Sequence, residues 1–169
     1  MKYILWPVLM ILSVWVTAQN QGNPCDQPKL HEFDFWIGDW NVYKYGTDTL
    51  IGYNTITPVA GGCALQENWR SAIGPSVGTS LNKYAFSLQK WQQMWVDNSG
   101  QTLQLSGQYM DGKMVMSNEQ FSRDGTRKIN NRISWINMPD ASIRQLWEQS
   151  TDDGQSWTVV FDGWYKMKG

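Results

Sequence analysis

His31-Glu32-Phe33-Asp34-Phe35-Trp36-Ile37-Gly38-Asp39-Trp40 is the densest aromatic stretch of the chain, and it reads as a helical turn running into a strand. Pro28 suits the first turn of a helix, where its missing N–H costs nothing. Leu30, Phe33 and Ile37 then fall near one side, and Gly38 stops the turn. Beyond Gly38 the pattern changes and does not change back. No sustained 3.6-residue period follows, and apolar residues recur at alternate positions instead. Leu103, Leu105 and Tyr109 share one face against Gln104, Ser106 and Gln108. Ile129, Ile133 and Trp135 form a second stripe, and Trp157, Val159 and Phe161 a third. Turn signals punctuate these runs at Asn98-Ser99-Gly100, Asp111-Gly112, Asp124-Gly125, Pro139-Asp140 and Asp152-Asp153-Gly154. The spacing predicts about ten strands, over 40–45, 49–57, 63–71, 79–86, 90–97, 101–109, 113–121, 127–137, 142–150 and 156–167. A sheet of that length has two exposed edges unless it closes. The expected fold class is therefore all-β, a single antiparallel β-barrel with a short N-terminal helical turn; a two-sheet sandwich is the alternative.

Upstream of the aromatic stretch the chain reads as an address. Lys2 precedes an apolar run from Ile4 to Val16, and Val16-Thr17-Ala18 supplies small residues at a cleavage position. The run contains Pro7 and is too short for a comfortable membrane span, so residues 1–18 are expected to be a secretory signal peptide. Residues 19–29 are then a leader and 30–169 the barrel domain. No composition break divides the chain after residue 28. The expected protein is exported, to a periplasm or beyond, with no membrane anchor after cleavage.

Composition excludes several functions. Without Lys2, 13 basic residues face 15 acidic ones, which leaves no basic excess for nucleic acid. One His (His31) and two Cys (Cys25, Cys63) cannot assemble a zinc site of the usual kind, and no metal is expected. Of 11 Trp, nine lie outside the signal segment. That excess points to a lined interior or a glycan platform rather than to core filling alone.

Gly38-x-Trp40 at the head of the first strand resembles the calycin group, the lipocalins and their barrel relatives. There the Trp plugs the closed end of the barrel beneath a basic side chain from the last strand, a place that Lys166 or Lys168 can take here. The longer string Phe33-Asp34-Phe35-Trp36-x-Gly38-x-Trp40 is similar to secreted bacterial domains of unknown function. Gly62-Cys63-Ala64-Leu65-Gln66-Glu67-Asn68-Trp69 and the ending Ser150 to Tyr165 extend that likeness over nearly the whole mature chain. The resemblance implies a calycin-like barrel and brings no activity with it. In nitrobindin-like barrels a His toward the C-terminus ligates haem. No His stands there in this chain, so no cofactor is expected. Ser150-Thr151-Asp152-Asp153-Gly154-Gln155-Ser156-Trp157 resembles the Asp-box of bacterial sialidases, with Ser156 in place of Thr. One good copy in a chain this short reads as a hairpin device rather than a propeller blade.

The candidate site follows from strand parity. Glu67 shares its face with Leu65 and Trp69 and so points inward, where a carboxylate must be bonded or its pKa rises. Arg144 and Arg132 are possible partners whose facing is left open. Trp91, Gln93 and Trp95 share one strand face, and Asn131 and Trp135 lie on another; Trp147 follows on the next strand. Alternating aromatics and amides suit a cavity wall that combines apolar area with a few orienting groups. The leading expectation is a pocket for a small apolar or amphipathic molecule, lined by Glu67, Trp69, Trp91, Gln93, Trp95, Asn131, Trp135, Arg144 and Trp147. Two alternatives remain open. One is a metal-independent hydrolase or isomerase using Glu67 with Asp34 or Asp39. The other is a glycan-binding module with exposed Trp platforms. Cys25 and Cys63, the two thiols of an exported chain, are expected to pair in a disulfide.

Overall fold

The computed structural model describes residues 22–169; the signal peptide expected over 1–18 and the first leader residues lie outside the described residues. Ten strands follow in chain order. They are β1 (Gly38–Lys44), β2 (Leu50–Val59), β3 (Ala64–Ser71), β4 (Val77–Ala85) and β5 (Lys90–Asp97). The second half supplies β6 (Thr102–Met110), β7 (Lys113–Phe121), β8 (Lys128–Asn137), β9 (Ile143–Ser150) and β10 (Thr158–Met167). Each pairs antiparallel with its chain neighbours, and β1 pairs with β10, so the sheet closes into an up-and-down barrel without a free edge. The sandwich alternative is thereby excluded.

Tight turns set the register. Asp111 and Gly112 both adopt positive φ (50° and 76°), the geometry of a two-residue hairpin whose twist matches the flanking strands. Connections alternate between the two ends of the barrel. The β2–β3, β4–β5, β6–β7 and β8–β9 turns lie at one end, and the other five at the opposite end.

The chain before β1 plugs the first of these ends. Instead of one helix it makes two successive 3-10 turns, Pro28–His31 and Asp34–Trp36. Leu30, Phe33 and Trp36 are buried beneath the barrel. Phe33 stacks on Trp36 at 4.9 Å and meets Trp135 and Trp91 edge-on at 5.3 and 5.7 Å. Trp40 is buried and donates its indole N–H to the Trp36 carbonyl at 2.9 Å. Met114 and Met116 fill the remaining space. Neither Lys166 nor Lys168 covers Trp40. Both point outward, Lys166 over the Trp164 ring at 3.7 Å and Lys168 toward Tyr53, because odd-numbered residues of β10 own the inner face there. Tyr165 packs against Trp40 in their place, at 6.2 Å.

Cys25 and Cys63 form a disulfide that fastens the leader to the β2–β3 connection, with Cα atoms 4.8 Å apart. Asn23 adds a bond to the Gly61 carbonyl at 3.1 Å. The stripe expected of Trp157, Val159 and Phe161 does not form. A bulge between Val159 and Phe161 resets the alternation, leaving Val159 exposed while Phe161 turns inward. The Asp-box-like segment is a hairpin device. Asp152 accepts bonds from the Ser156 N–H and hydroxyl at 2.9 and 2.6 Å, and Trp157 donates to the Gly154 carbonyl at 3.1 Å.

Candidate functional site: a Trp-lined cavity at the unplugged end

Above the aromatic plug the barrel interior is not filled. A cavity of about 400 Å³ runs from Glu67, Ile133 and Tyr165 up to Ile73, Ser76 and Gln101 at the opposite end. Trp69, Trp95, Trp147 and Phe161 supply its apolar wall, with Ile51 and Leu103. Glycine makes room for three of these rings. A Cβ at Gly52 or Gly78 would overlap the indoles of Trp69 and Trp95, and one at Gly163 would overlap the Phe161 ring. Strand-interior glycines thus let bulky aromatics lie against neighbouring backbone rather than project across the lumen. Trp69 and Phe161 meet edge-on at 5.8 Å.

The floor is polar. Glu67 is 4% exposed; its Oε1 accepts from the Asn54 amide at 2.7 Å and its Oε2 from the Ser80 hydroxyl at 2.6 Å. Ser80 in turn accepts from Asn82 at 2.9 Å, and Gln93 donates to Asn82 Oδ1 at 2.8 Å. On the other side Asn54 also donates to the Tyr165 hydroxyl at 3.3 Å, which donates to Gln145 Oε1. One hydrogen-bonded chain therefore crosses the floor from Gln93 to Gln145 with Glu67 at its centre. Burial pushes the Glu67 carboxyl up to about 7, against the opposing bonds from Ser80 and Asn54. Burial likewise raises Tyr165 well above the ordinary phenol range, and the nearby Glu67 charge adds to it.

Five of the expected site residues come together here: Glu67, Trp69, Gln93, Trp95 and Trp147 all line the cavity. Asn131 stands just behind the wall, where its Oδ1 accepts from the Trp147 indole at 2.9 Å and from Gln149 at 3.0 Å. It orients the lining rather than joining it. Trp91 and Trp135 belong to the plug. The indole N–H of Trp91 reaches Glu32 at 3.2 Å beside a smaller cavity at the plugged end. Arg144 is outside the barrel. Ile143, Gln145, Trp147 and Gln149 take the inner positions of β9, so Arg144 pairs outward, bidentate to Asp162 at 2.8 Å and 3.9 Å over the Tyr45 ring. Arg132 likewise pairs with Glu148 at 3.0 Å and lies over Trp157.

The carboxylates expected to act with Glu67 are also outside. Asp34 bonds His31 at 2.6 Å at the plugged end, and Asp39 bonds Thr55 on the outer face. None of the nine described Trp is fully exposed; the two on the outer face, Trp157 and Trp164, are half-buried and lie under Arg132 and Lys166. Sequence reasoning missed Asn54, Ser80, Asn82, Gln145, Phe161 and Tyr165.

Protein-family models and curated protein sequences were compared with the chain. None matches. The cavity's own chemistry therefore carries the functional reading.

Proposed function

We propose that this barrel is an exported, calycin-type carrier that holds a small apolar or amphipathic molecule in the Trp-lined cavity, without catalysing its conversion. The observation that carries the reading is the cavity itself. Its volume of about 400 Å³ lies within the usual range for small-molecule pockets. Its composition is also that of such pockets, an aromatic wall with a few convergent polar groups at one end. A protein with no use for the space would fill it, because interiors pack to crystal-like density and voids cost stability. The same chain fills the lumen below the floor with one buried cluster that includes Phe33, Trp36, Trp40 and Trp135.

Glu67, Gln93 and Gln145 would fix the polar end of the ligand. The pairing of Glu67 with Asp34 or Asp39 loses support because both lie outside the barrel, and the other carboxylate of the cavity, Asp97, accepts bonds from its own turn at Ser99 and Gln101. Export is supported by the disulfide, since paired thiols persist in oxidising compartments. The test is native mass spectrometry of protein purified from its own host. A small molecule released on denaturation supports the reading. A bare polypeptide mass, together with no thermal shift across a panel of lipophilic compounds, contradicts it.

A further inference from the structure

The cavity carries a charge pattern that narrows its ligand class. Among the described residues lining it there is no Lys, Arg or His, whereas two carboxylates, Glu67 and Asp97, do line it. Several basic residues of the barrel strands are committed elsewhere, and Arg70, between the lining residues Trp69 and Ser71, lies over the Tyr53 ring. Arg144 and Arg132 form ion pairs on the outer face, and Lys128 pairs with Glu119 and Asp153.

The proton inventory of the floor sharpens this. Ser80 Oγ accepts from Asn82, so its single proton is given to Glu67. Asn54 can only donate through its amide nitrogen. Both Glu67 oxygens are therefore acceptors, each with one bond, and an ionised carboxylate offers about four acceptor positions in all. Room for donors remains on the only side that is not protein, the cavity. The wall above is aromatic, and aromatic faces attract organic cations.

From this geometry we infer that the ligand presents a hydrogen-bonding or permanently charged ammonium head to Glu67, on an apolar or aromatic body held by Trp69, Trp95, Trp147 and Phe161. The inference rests on the carrier reading above and names its ligand class. It runs against a fatty acid. A carboxylate head would enter a cavity with no cation to pair it and two like charges to oppose it, and an unpaired buried charge is costly. An alcohol would donate one hydrogen bond to the carboxylate but would leave its charge unpaired, whereas an ammonium both donates and neutralises it.

The experiment is isothermal titration of the full mature protein at pH 8 with three probes of one chain length: octylammonium, octanol and octanoate. The expected order is ammonium tightest, octanol weaker by at least about tenfold, octanoate weakest. In the Glu67→Gln protein the ammonium preference over octanol should shrink to within about threefold, the charge term being gone. Octanol or octanoate binding the unaltered protein as tightly as the ammonium probe would overturn the inference and leave the carrier reading standing. Binding of none of the three would overturn both. The three-probe comparison on the unaltered protein needs no variant to fold.

Discussion

Glu67→Gln should remove most of the pH dependence of folding stability between pH 4.5 and 7. The carboxyl titrates at its ordinary 4.5 in the unfolded chain and at about 7 in the folded one, so over that interval the folded state holds a proton that the unfolded state has lost. Unfolding free energy therefore falls as pH rises through the interval and levels off above it. At about 1.4 kcal/mol per pKa unit the loss is about 3 kcal/mol, equivalent to about 6–12 °C in melting temperature for a domain of this size. The groups facing Glu67 do not supply the same signal. Tyr165 stays neutral throughout, and Asn54 and Ser80 do not titrate. Burial pushes Asp97 up, but bonds from Ser99 and Gln101 outweigh it and hold it below the usual carboxylate range, so its contribution is lost only at lower pH. His31 is raised by its bond to Asp34, so its contribution fades as pH rises past the ordinary 6.5, equally in both proteins. The variant has a way to keep its bonds. The Asn54 Oδ1 is buried without a partner, and turning that amide over presents an oxygen to the new Gln side chain. Urea unfolding of both proteins at half-unit steps from pH 4.5 to 8.5 is the assay, and the difference between the two curves is the readout. Parallel curves would refute the claim that Glu67 is buried and desolvated.

Three further outcomes follow from the architecture. Replacing both Cys25 and Cys63 with Ser should destabilise the protein by about 3–4 kcal/mol in urea, since the bridge closes a separation of 38 residues, and alkylation of the unfolded, unreduced protein should find no free thiol. Gly78→Val should cost about 1–3 kcal/mol by driving the Trp95 ring off the wall, with a change in near-ultraviolet circular dichroism and weaker ligand binding. Arg144→Ala should leave ligand affinity unchanged, because its guanidinium is spent on Asp162 and Tyr45 outside the barrel; a tenfold loss of affinity would place it at the site after all.

Most strand positions were legible because each run alternates cleanly and is bounded by Asp-Gly or Asn-Ser-Gly turns whose conformations few other residues adopt. Glu67 was legible for the same reason, having Leu65 and Trp69 as parity partners. Two of the misses, Ser80 and Asn82, share one cause. In β4 the usual code is inverted: Ser80 and Asn82 face the lumen while Leu81 is 56% exposed, so apolar-inward reasoning selects the wrong face. That inversion exists because a polar floor needs polar inward residues, and a single strand does not say which of its faces is lumen. The bulge at Val159 hid Phe161 in a similar way, since one extra residue shifts the parity of everything before it. Trp91 and Trp135 were placed on the correct face but at the wrong height. Alternation reports facing, and height along the axis depends on where the N-terminal plug ends. Beside the Trp excess and the alternation, the sequence carries a further signal of the aromatic wall in its strand-interior glycines: Gly52, Gly78 and Gly163 each lie under a ring that lines the cavity.

The most direct test of a ligand cavity above an aromatic plug is to follow the indole N–H signals by two-dimensional proton–nitrogen NMR while octylammonium, and in a second titration octanol, is added. The nine described Trp divide by place: Trp69, Trp95 and Trp147 line the cavity, Trp36, Trp40, Trp91 and Trp135 form the plug, and Trp157 and Trp164 lie on the outer face. Saturable shifts confined to the three cavity signals are predicted. Shifts confined to the plug or outer-face signals, or no saturable shift at all, would contradict the account.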